Sequence, residues 1–256
     1  MNDPSRIARS IAVVIPALDE ERAIREVVTA ALALCPNVIV VDDGSTDRTA
    51  DRVADLPITL IRHASPRGKG EGLREGFRRA LELGLEGVVT MDGDGQHAAS
   101  DIPRLLAAAT QYPGRIVIGA RLRHRERQPK IRRLANEFGD WGISIACGQQ
   151  LLDTQSGQRY YPQVALQLAD AISPNGFVFE ADILIEASRR GVRVVAVPIE
   201  SRYAGEFRRS HFRPVRDLLR ITTHVVWKAV RRCHLLADYR CARATPAIVV
   251  DPPSCG

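Results

Sequence analysis

The sequence predicts an α/β protein built on a mostly parallel, doubly wound sheet, and three features lead there. Short, continuous apolar runs recur along the first half of the chain. Segments with helical spacing of apolar residues separate them. The connections between the two are short. Strands buried on both faces read as unbroken apolar runs, and strand–helix alternation gives parallel neighbours joined by right-handed crossovers. In such sheets ligands sit beyond the carboxyl ends of the strands. Two acidic turns fall at such ends, Val41-Asp42-Asp43-Gly44-Ser45 and Met91-Asp92-Gly93-Asp94-Gly95-Gln96-His97.

Ile11–Ile15 reads as the first strand, ended by Pro16. Asp19 is placed to cap a helix through Leu34, with Ile24, Val27, Val28, Ala31 and Leu32 at helical spacing. Val38–Val41 is the second strand, and Ser45 or Thr46 opens a short helix to Ala54. Ile58–Ile61 is the third strand, Gly70–Leu83 a helix, Gly87–Met91 the fourth strand and Asp101–Gln111 a helix. Arg115–Gly119 is the fifth strand. The second half is less regular. Ile131–Cys147 is helical, Asp153–Tyr161 is a loop leading into a short strand, Phe179–Arg190 is a helix and Val192–Val197 a strand. Residues 1–212 are expected as one catalytic domain, 213–241 as a basic amphipathic helical appendage and 242–256 as a loose tail rich in proline and small residues.

The 256 residues suffice for one large α/β domain, with a net charge of +6. No apolar run approaches the roughly 18 residues of a membrane span. The start, Met1-Asn2-Asp3-Pro4, lacks the basic-then-apolar order of a signal peptide, so a cytoplasmic location is expected. Five scattered cysteines form neither a disulfide framework nor a zinc pattern. The cations are almost all arginine, which suits bidentate phosphate binding, and they concentrate at Arg121–Arg133 and Arg202–Arg232. No aromatic-rich strand motif or recognition helix accompanies them, so a nucleic-acid partner is not expected.

Asp92 and Asp94, one residue apart at a strand end, can share a hard cation, with Gln96 adding an oxygen ligand. Together with Asp42-Asp43 they suggest a crevice that holds a nucleotide diphosphate through a metal. Arg67-Gly68-Lys69-Gly70-Glu71-Gly72 is glycine-rich and precedes a helix, so its amides can face an anion, although it lacks Walker A spacing.

The ordered set Ile15-Pro16-Ala17-Leu18-Asp19-Glu20, Val41-Asp42-Asp43-Gly44-Ser45-Thr46-Asp47, Arg67-Gly68-Lys69-Gly70 and Asp92-Gly93-Asp94-Gly95-Gln96-His97 resembles the inverting family 2 glycosyltransferases of the GT-A fold. Asp153-Thr154-Gln155-Ser156-Gly157 and Phe179-Glu180-Ala181-Asp182 continue the pattern, which is most similar to the polyprenyl-phosphate sugar synthases over roughly residues 10–225. The resemblance implies a Mg²⁺ or Mn²⁺ ion on Asp92, Asp94 and Gln96 that neutralises the leaving diphosphate. It implies a nucleoside pocket of Asp43, Pro16, Leu18 and Glu20, with Lys69 also on the donor side. Arg121 would contact an acceptor phosphate, Arg132 with Asn136 would form a second such contact, and Arg202 would close on the donor phosphates. The text after Arg202, Tyr203-Ala204-Gly205-Glu206, departs from the family's usual Gly-x-Ser-Lys, so the acceptor-side loop differs.

What is implied is transfer of a monosaccharide from a nucleotide-diphosphate sugar, of the GDP-mannose or UDP-glucose type, to a polyprenyl phosphate. The alternatives are transfer to a lipid hydroxyl with Glu180 or Asp182 as base, a sugar nucleotidyltransferase, and a non-catalytic basic binding protein. A nucleotidyltransferase normally has a basic Gly-rich loop after the first strand, where this chain has Pro16-Ala17-Leu18-Asp19-Glu20. Arg213–Leu236 pairs an apolar stripe including Leu218, Ile221, Val225 and Trp227 with Arg213, Arg216, Arg220, Lys228, Arg231 and Arg232. That pattern predicts peripheral contact with an anionic leaflet, at the inner face of the cytoplasmic membrane.

Overall fold

In the computed structural model, which describes residues 4–122, 130–172, 178–199 and 235–252, eight strands form one sheet. They are β1 (Ile11–Ala17), β2 (Val38–Asp42), β3 (Thr59–Arg62), β4 (Gly87–Thr90), β5 (Ile116–Ala120), β6 (Arg159–Pro162), β7 (Val194–Pro198) and β8 (Ile248–Val249). Their order is β3-β2-β1-β4-β6-β5-β7-β8. All pairs are parallel except those of β6, which runs antiparallel between β4 and β5. The described helices are α1 (Pro4–Ser10), α2 (Ile24–Leu32), α3 (Lys69–Glu82), α4 (Ile102–Gln111), α5 (Lys130–Cys147), α6 (Gln163–Leu166), α7 (Val178–Arg189) and α8 (Leu235–Ala244).

The period of two along β1 divides the core between the two faces of the sheet. Ala12 and Val14 join Leu73 and Phe77 of α3 and Phe179 and Ile183 of α7 on one face. Ile11, Val13 and Ile15 join Ile24 and Val28 of α2 and Ile102 and Leu105 of α4 on the other. Phe77 centres an aromatic cluster, 5.1 Å from the Tyr161 ring and 6.1 Å from that of Phe179. Against β1, α3 lies so close that a Cβ on Gly76 would sit 2.4 Å from Val14 Cγ1.

Several elements differ from expectation. Pro16 stands inside β1, not at its end. Val13 donates to Asn37 on the β2 side, so the missing N–H of Pro16 falls on the β4 side, where the pairing has already stopped at Val14↔Thr90. Asp19 does not cap α2, which begins five residues later. It adopts φ 54°, and its Oδ1 accepts the Thr46 amide at 2.8 Å. Residues 46–54 form turns instead of a helix, because side chains take the amides a helix would use: Asp42 Oδ1 accepts from Ser45 N and Asp47 Oδ1 from Thr49 N. The expected tail is structured through residue 252. Ile248 and Val249 pair with Val195 and Ala196 of β7, the Gln150 amide donates to Thr245 O, and Asp251 pairs with Arg104. Most of the predicted amphipathic helix Arg213–Leu236 lies outside the described residues.

The Gly76 contact makes a testable statement about the core. Gly76→Ala is expected to destabilise the fold by about 1–3 kcal/mol through overpacking. Val14→Ala in the same chain should recover part of that loss in denaturant unfolding, whereas strictly additive losses would mean that the two residues are not in contact.

Candidate active site

The acidic turn after β4 is positioned from both flanks. Thr90 Oγ1 donates to Gly157 O at 2.7 Å, which draws the chain before β6 against the end of β4. Asp92 lies directly on Gly157: a Cβ there would stand 2.5 Å from Asp92 Oδ2. Lys69, the first residue of α3, reaches across the turn. Its Nζ is 2.8 Å from Asp92 Oδ1 and 3.2 Å from Glu180 Oε2 in the first turn of α7. His97 Nε2 is 3.3 Å from Asp92 Oδ2. Burial opposes the charge on Lys69, but Asp92 and Glu180 outweigh it and raise the ammonium well above its usual range. Burial likewise works against the Asp92 charge, and Lys69 and His97 hold that carboxyl far below the usual carboxylate range.

Asp94 has the opposite balance. Burial first, and then the charge of Asp92, push its carboxyl upward, while the Gln96 amide donates to its Oδ1 at 3.0 Å. A carboxylate pressed in this way beside a second one, with an amide side chain two residues on, suits a hard divalent cation. The donor set therefore fits Mg²⁺ or Mn²⁺, with Asp94 the carboxylate that most needs a cation. Asp92 is already paired with the Lys69 ammonium. Among the described residues no three His, Cys, Asp or Glu side chains converge as a metal cage.

Around the strand β6 the organising residue is Arg159, fully buried. Its Nε donates to Ser156 O at 2.8 Å, Nη1 to Glu180 O and Tyr161 Oη at 3.0 Å each, and Nη2 to Thr154 O at 2.7 Å. Nη2 also stands 3.9 Å from Glu180 Oε1, so both Glu180 oxygens face cations. The loop ahead of β6 is tied to α5 by Asp140, whose Oδ2 accepts the Asp153 amide at 2.9 Å and whose Oδ1 accepts the amide and hydroxyl of Thr154, both at 2.7 Å. Burial raises the Asp140 carboxyl to about 6 against these donors. Arg121, just after β5, makes a fork on Asp153: Nε to Oδ2 at 2.8 Å and Nη2 to Oδ1 at 2.6 Å, with the Arg121 amide also on Oδ2. Burial disfavours the Asp153 charge, but Arg121 dominates and lowers that carboxyl. Asp153 holds φ 51°, the left-handed turn that lets one carboxylate reach both.

On the donor side Asp43 is buried. Its Oδ1 accepts the Arg67 amide at 2.8 Å and lies 2.7 Å from His63 Nδ1, while Oδ2 accepts the Gly68 amide at 2.7 Å. Pro16 lies in register with Val41, one residue before the pairing of β1 with β2 ends, Leu18 is half-buried, and the Glu20 amide donates to Thr49 Oγ1 at 2.7 Å. The Asp19 amide donates to Ser45 Oγ at 2.9 Å, so the two loops after β1 and β2 are fastened together.

The structure thus gathers Lys69, Asp92, Asp94 and Gln96 at one edge, with Glu180 paired to Lys69. Asp43, Pro16, Leu18 and Glu20 lie at the ends of neighbouring strands. Arg121 stands just after β5 with its fork on Asp153. Arg202 and the side chain of Arg132 lie outside the described residues; the backbone of Arg132 is in the first turn of α5, eight residues before Asp140. Sequence reasoning missed Arg159, Asp140 and His63, and named Gly157 only as part of a motif. Arg159 carried a signal, a charge at the head of the short strand with Tyr160 and Tyr161. Asp140 and His63 carried none.

A profile of glycosyl transferase family 2 matches residues 12–172 of the chain. An undecaprenyl-phosphate mannosyltransferase of Micrococcus luteus is 35% identical over 173 residues, which span 64% of this chain and 70% of that one. A UDP-N-acetylglucosamine–dolichyl-phosphate N-acetylglucosaminyltransferase of Methanococcus voltae is 29% identical over 216 residues, 75% of this chain and 86% of that one. Among solved structures, glucosyl-3-phosphoglycerate synthase from Mycobacterium tuberculosis, in complex with Mn²⁺, UDP and phosphoglyceric acid, superposes with a TM-score of 0.63 at 23% identity, covering 90% of this chain and 80% of that one. That likeness establishes a shared fold, the GT-A architecture of a mostly parallel sheet between helices.

Two outcomes test this geometry. Gly157→Ala should displace the Asp92 carboxylate and lower turnover at least about tenfold, an effect of one charge-assisted bond, with little change in melting temperature; unchanged turnover would remove Asp92 from the site. Asp140 has a folded value of about 6 against 3.8, so the fold holds its proton more tightly than the unfolded chain. Its contribution to stability is therefore largest below pH 3.8 and declines as pH rises towards 6, by about 1.4 kcal/mol per pH unit. The unfolding free energy of wild type minus that of Asp140→Asn should fall across this window, and a flat difference would contradict the raised carboxyl.

Proposed function

The chain belongs to glycosyl transferase family 2, and on that premise we propose that it moves a monosaccharide, with inversion, from a nucleotide-diphosphate sugar to a polyprenyl phosphate. Relatives named for undecaprenyl- and dolichyl-phosphate acceptors support the acceptor class. The observation that carries the reading is the environment of Glu180. Its two oxygens face Lys69 and Arg159, and the Asp182 side chain is buried. Neither is placed as a general base for a hydroxyl nucleophile. A phosphate monoester needs none, because its second pKa is near 6 and it arrives largely as the dianion.

In this reading the nucleoside sits over the ends of β1 and β2, near Pro16, Leu18, Glu20 and Asp43. Lys69 brings positive charge to the leaving diphosphate from the start of α3. Mg²⁺ or Mn²⁺, held by Asp94 and Gln96 with Asp92, would supply the remaining charge neutralisation there. The acceptor phosphate is proposed on the α5 side, with Arg121 and Arg132 as its cations, and Arg202 is proposed to close on the donor phosphates. Arg121 would meet it with Asp153 at its back, which fixes the plane of the guanidinium. The nucleophile then attacks the anomeric carbon in line, and catalysis is positioning plus electrostatic stabilisation.

A polyprenyl acceptor keeps the enzyme at a bilayer. No helix among the described residues is long and apolar enough to cross one. The proposed contact is peripheral, through the basic amphipathic segment Arg213–Leu236, on the cytoplasmic face where the nucleotide sugar would be met.

The acceptor class is tested with GDP-mannose, UDP-glucose and UDP-N-acetylglucosamine, each offered with a polyprenyl phosphate and with the matching polyprenol. Sugar is expected on the phosphate alone, and Glu180→Gln should retain transfer within about tenfold, the loss of one charged contact. Transfer to the alcohol, abolished by Glu180→Gln, would instead assign Glu180 as a base and the acceptor as a hydroxyl.

A further inference from the structure

We propose that His63 is a positioning residue for the donor diphosphate, acting through Asp43 on the loop that delivers Lys69. The inference rests on the transferase reading above and adds a residue outside the motifs that carry it. His63 follows β3, and its amide donates to Asp42 O at 2.9 Å, which sets the ring beside the end of β2. Asp43 offers only acceptors: it takes the Arg67 and Gly68 amides on Oδ1 and Oδ2. The contact of 2.7 Å therefore requires the proton on His63 Nδ1. The neutral ring then presents Nε2 as a lone pair, and that buried atom has no hydrogen-bond partner among the described residues.

A buried polar atom without a partner is costly, and an apolar side chain of similar shape would fill the space without that cost. What an apolar side chain cannot do is donate to Asp43. The bond to Asp43 is thus the contribution specific to the imidazole. It turns the carboxylate so that one oxygen meets Arg67 N and the other Gly68 N. These are the last amides before Lys69 begins α3, and Gly68 makes the bend between them at φ 97°. The loop has little slack, since Gly44 packs so tightly beneath it that a Cβ would lie 2.7 Å from the Ser65 carbonyl carbon. One chain of contacts runs from His63 through Asp43 and the Arg67–Gly68 amides to Lys69, and from there to Asp92 and Glu180.

Two variants separate this role from simple packing. His63→Leu keeps bulk and removes the donor. His63→Asn keeps a side-chain N–H near the Nδ1 position. Hydrogen exchange over residues 64–70 is read in the ligand-free protein, and affinities for UDP, GDP, uridine and guanosine are read with Mn²⁺ present. His63→Leu should speed exchange of the loop and weaken the bound diphosphate about tenfold while leaving the nucleoside affinity unchanged, and His63→Asn should restore both. Unchanged exchange in His63→Leu overturns the clamp. Equal losses for nucleoside and diphosphate overturn the link to Lys69 and assign the pair to the base. A folded His63→Asn that behaves like His63→Leu overturns the role of the N–H. Wild-type protein that binds neither UDP nor GDP overturns the transferase reading and with it the diphosphate role, whereas the exchange result alone decides the clamp.

Discussion

A single ammonium group holds the site together. Lys69 Nζ lies between Asp92 and Glu180, which come from the end of β4 and the start of α7. Without it two largely buried carboxylates would face each other across the same space, and a buried charge that loses its partner costs several kcal/mol. The ion bridge therefore demands that α3, α7 and the turn after β4 meet at one point. Much of the local backbone serves that meeting. Gly68 bends the chain into α3, Gly157 leaves room for Asp92, and Gly76 lets α3 lie flat on β1.

The antiparallel strand β6 is the second organising element. By entering between β4 and β5 it carries Ser156, Gly157 and Arg159 into the middle of the carboxyl edge. A fully buried guanidinium is tolerable there because carbonyls of three residues, a tyrosine hydroxyl and a nearby carboxylate surround it. From Arg159 the connections lead through Thr154 to Asp140 on α5, and through the adjacent Asp153 to Arg121 after β5. The end of β4, β6, α5 and the turn after β5 are joined by buried polar bonds, so their relative placement is not left to loop packing. Such networks are stiff when every member is satisfied. That stiffness suits the proposed reaction, in which two phosphorylated groups would be held in line.

The two sides differ in how they are built. The donor side rests on loops fastened edge to edge, Asp19 and Glu20 to Ser45, Thr46 and Thr49, and Asp43 to His63, Arg67 and Gly68. The proposed acceptor side rests on one helix, α5, clamped by Asp140 to the loop before β6. Arg121 is aimed by the Asp153 carboxylate behind it, so its orientation does not depend on a ligand.

The sequence by itself determined the parallel core of the sheet and the family. Apolar runs buried on both faces leave few readings, and an acidic turn after such a run can only stand at an edge. Asp92, Asp94, Gln96 and Asp43 were legible for that reason. The helix expected at 46–54 was not realised, because Asp19 takes the Thr46 amide and Asp47 the Glu21 amide across loops that only the folded chain brings together. The pairing of Ile248–Val249 with β7 was illegible because two apolar residues after a proline carry no period. His63 acts through a carboxylate 20 residues away, Arg159 largely through backbone carbonyls, and Asp140 through amides 13 and 14 residues on, none of which leaves a pattern in a one-dimensional text. Lys69 is the clearest division. A lysine in a glycine-rich loop suggested an anion, and only the packing of α3 against β1 and α7 decided that its first partners are Asp92 and Glu180.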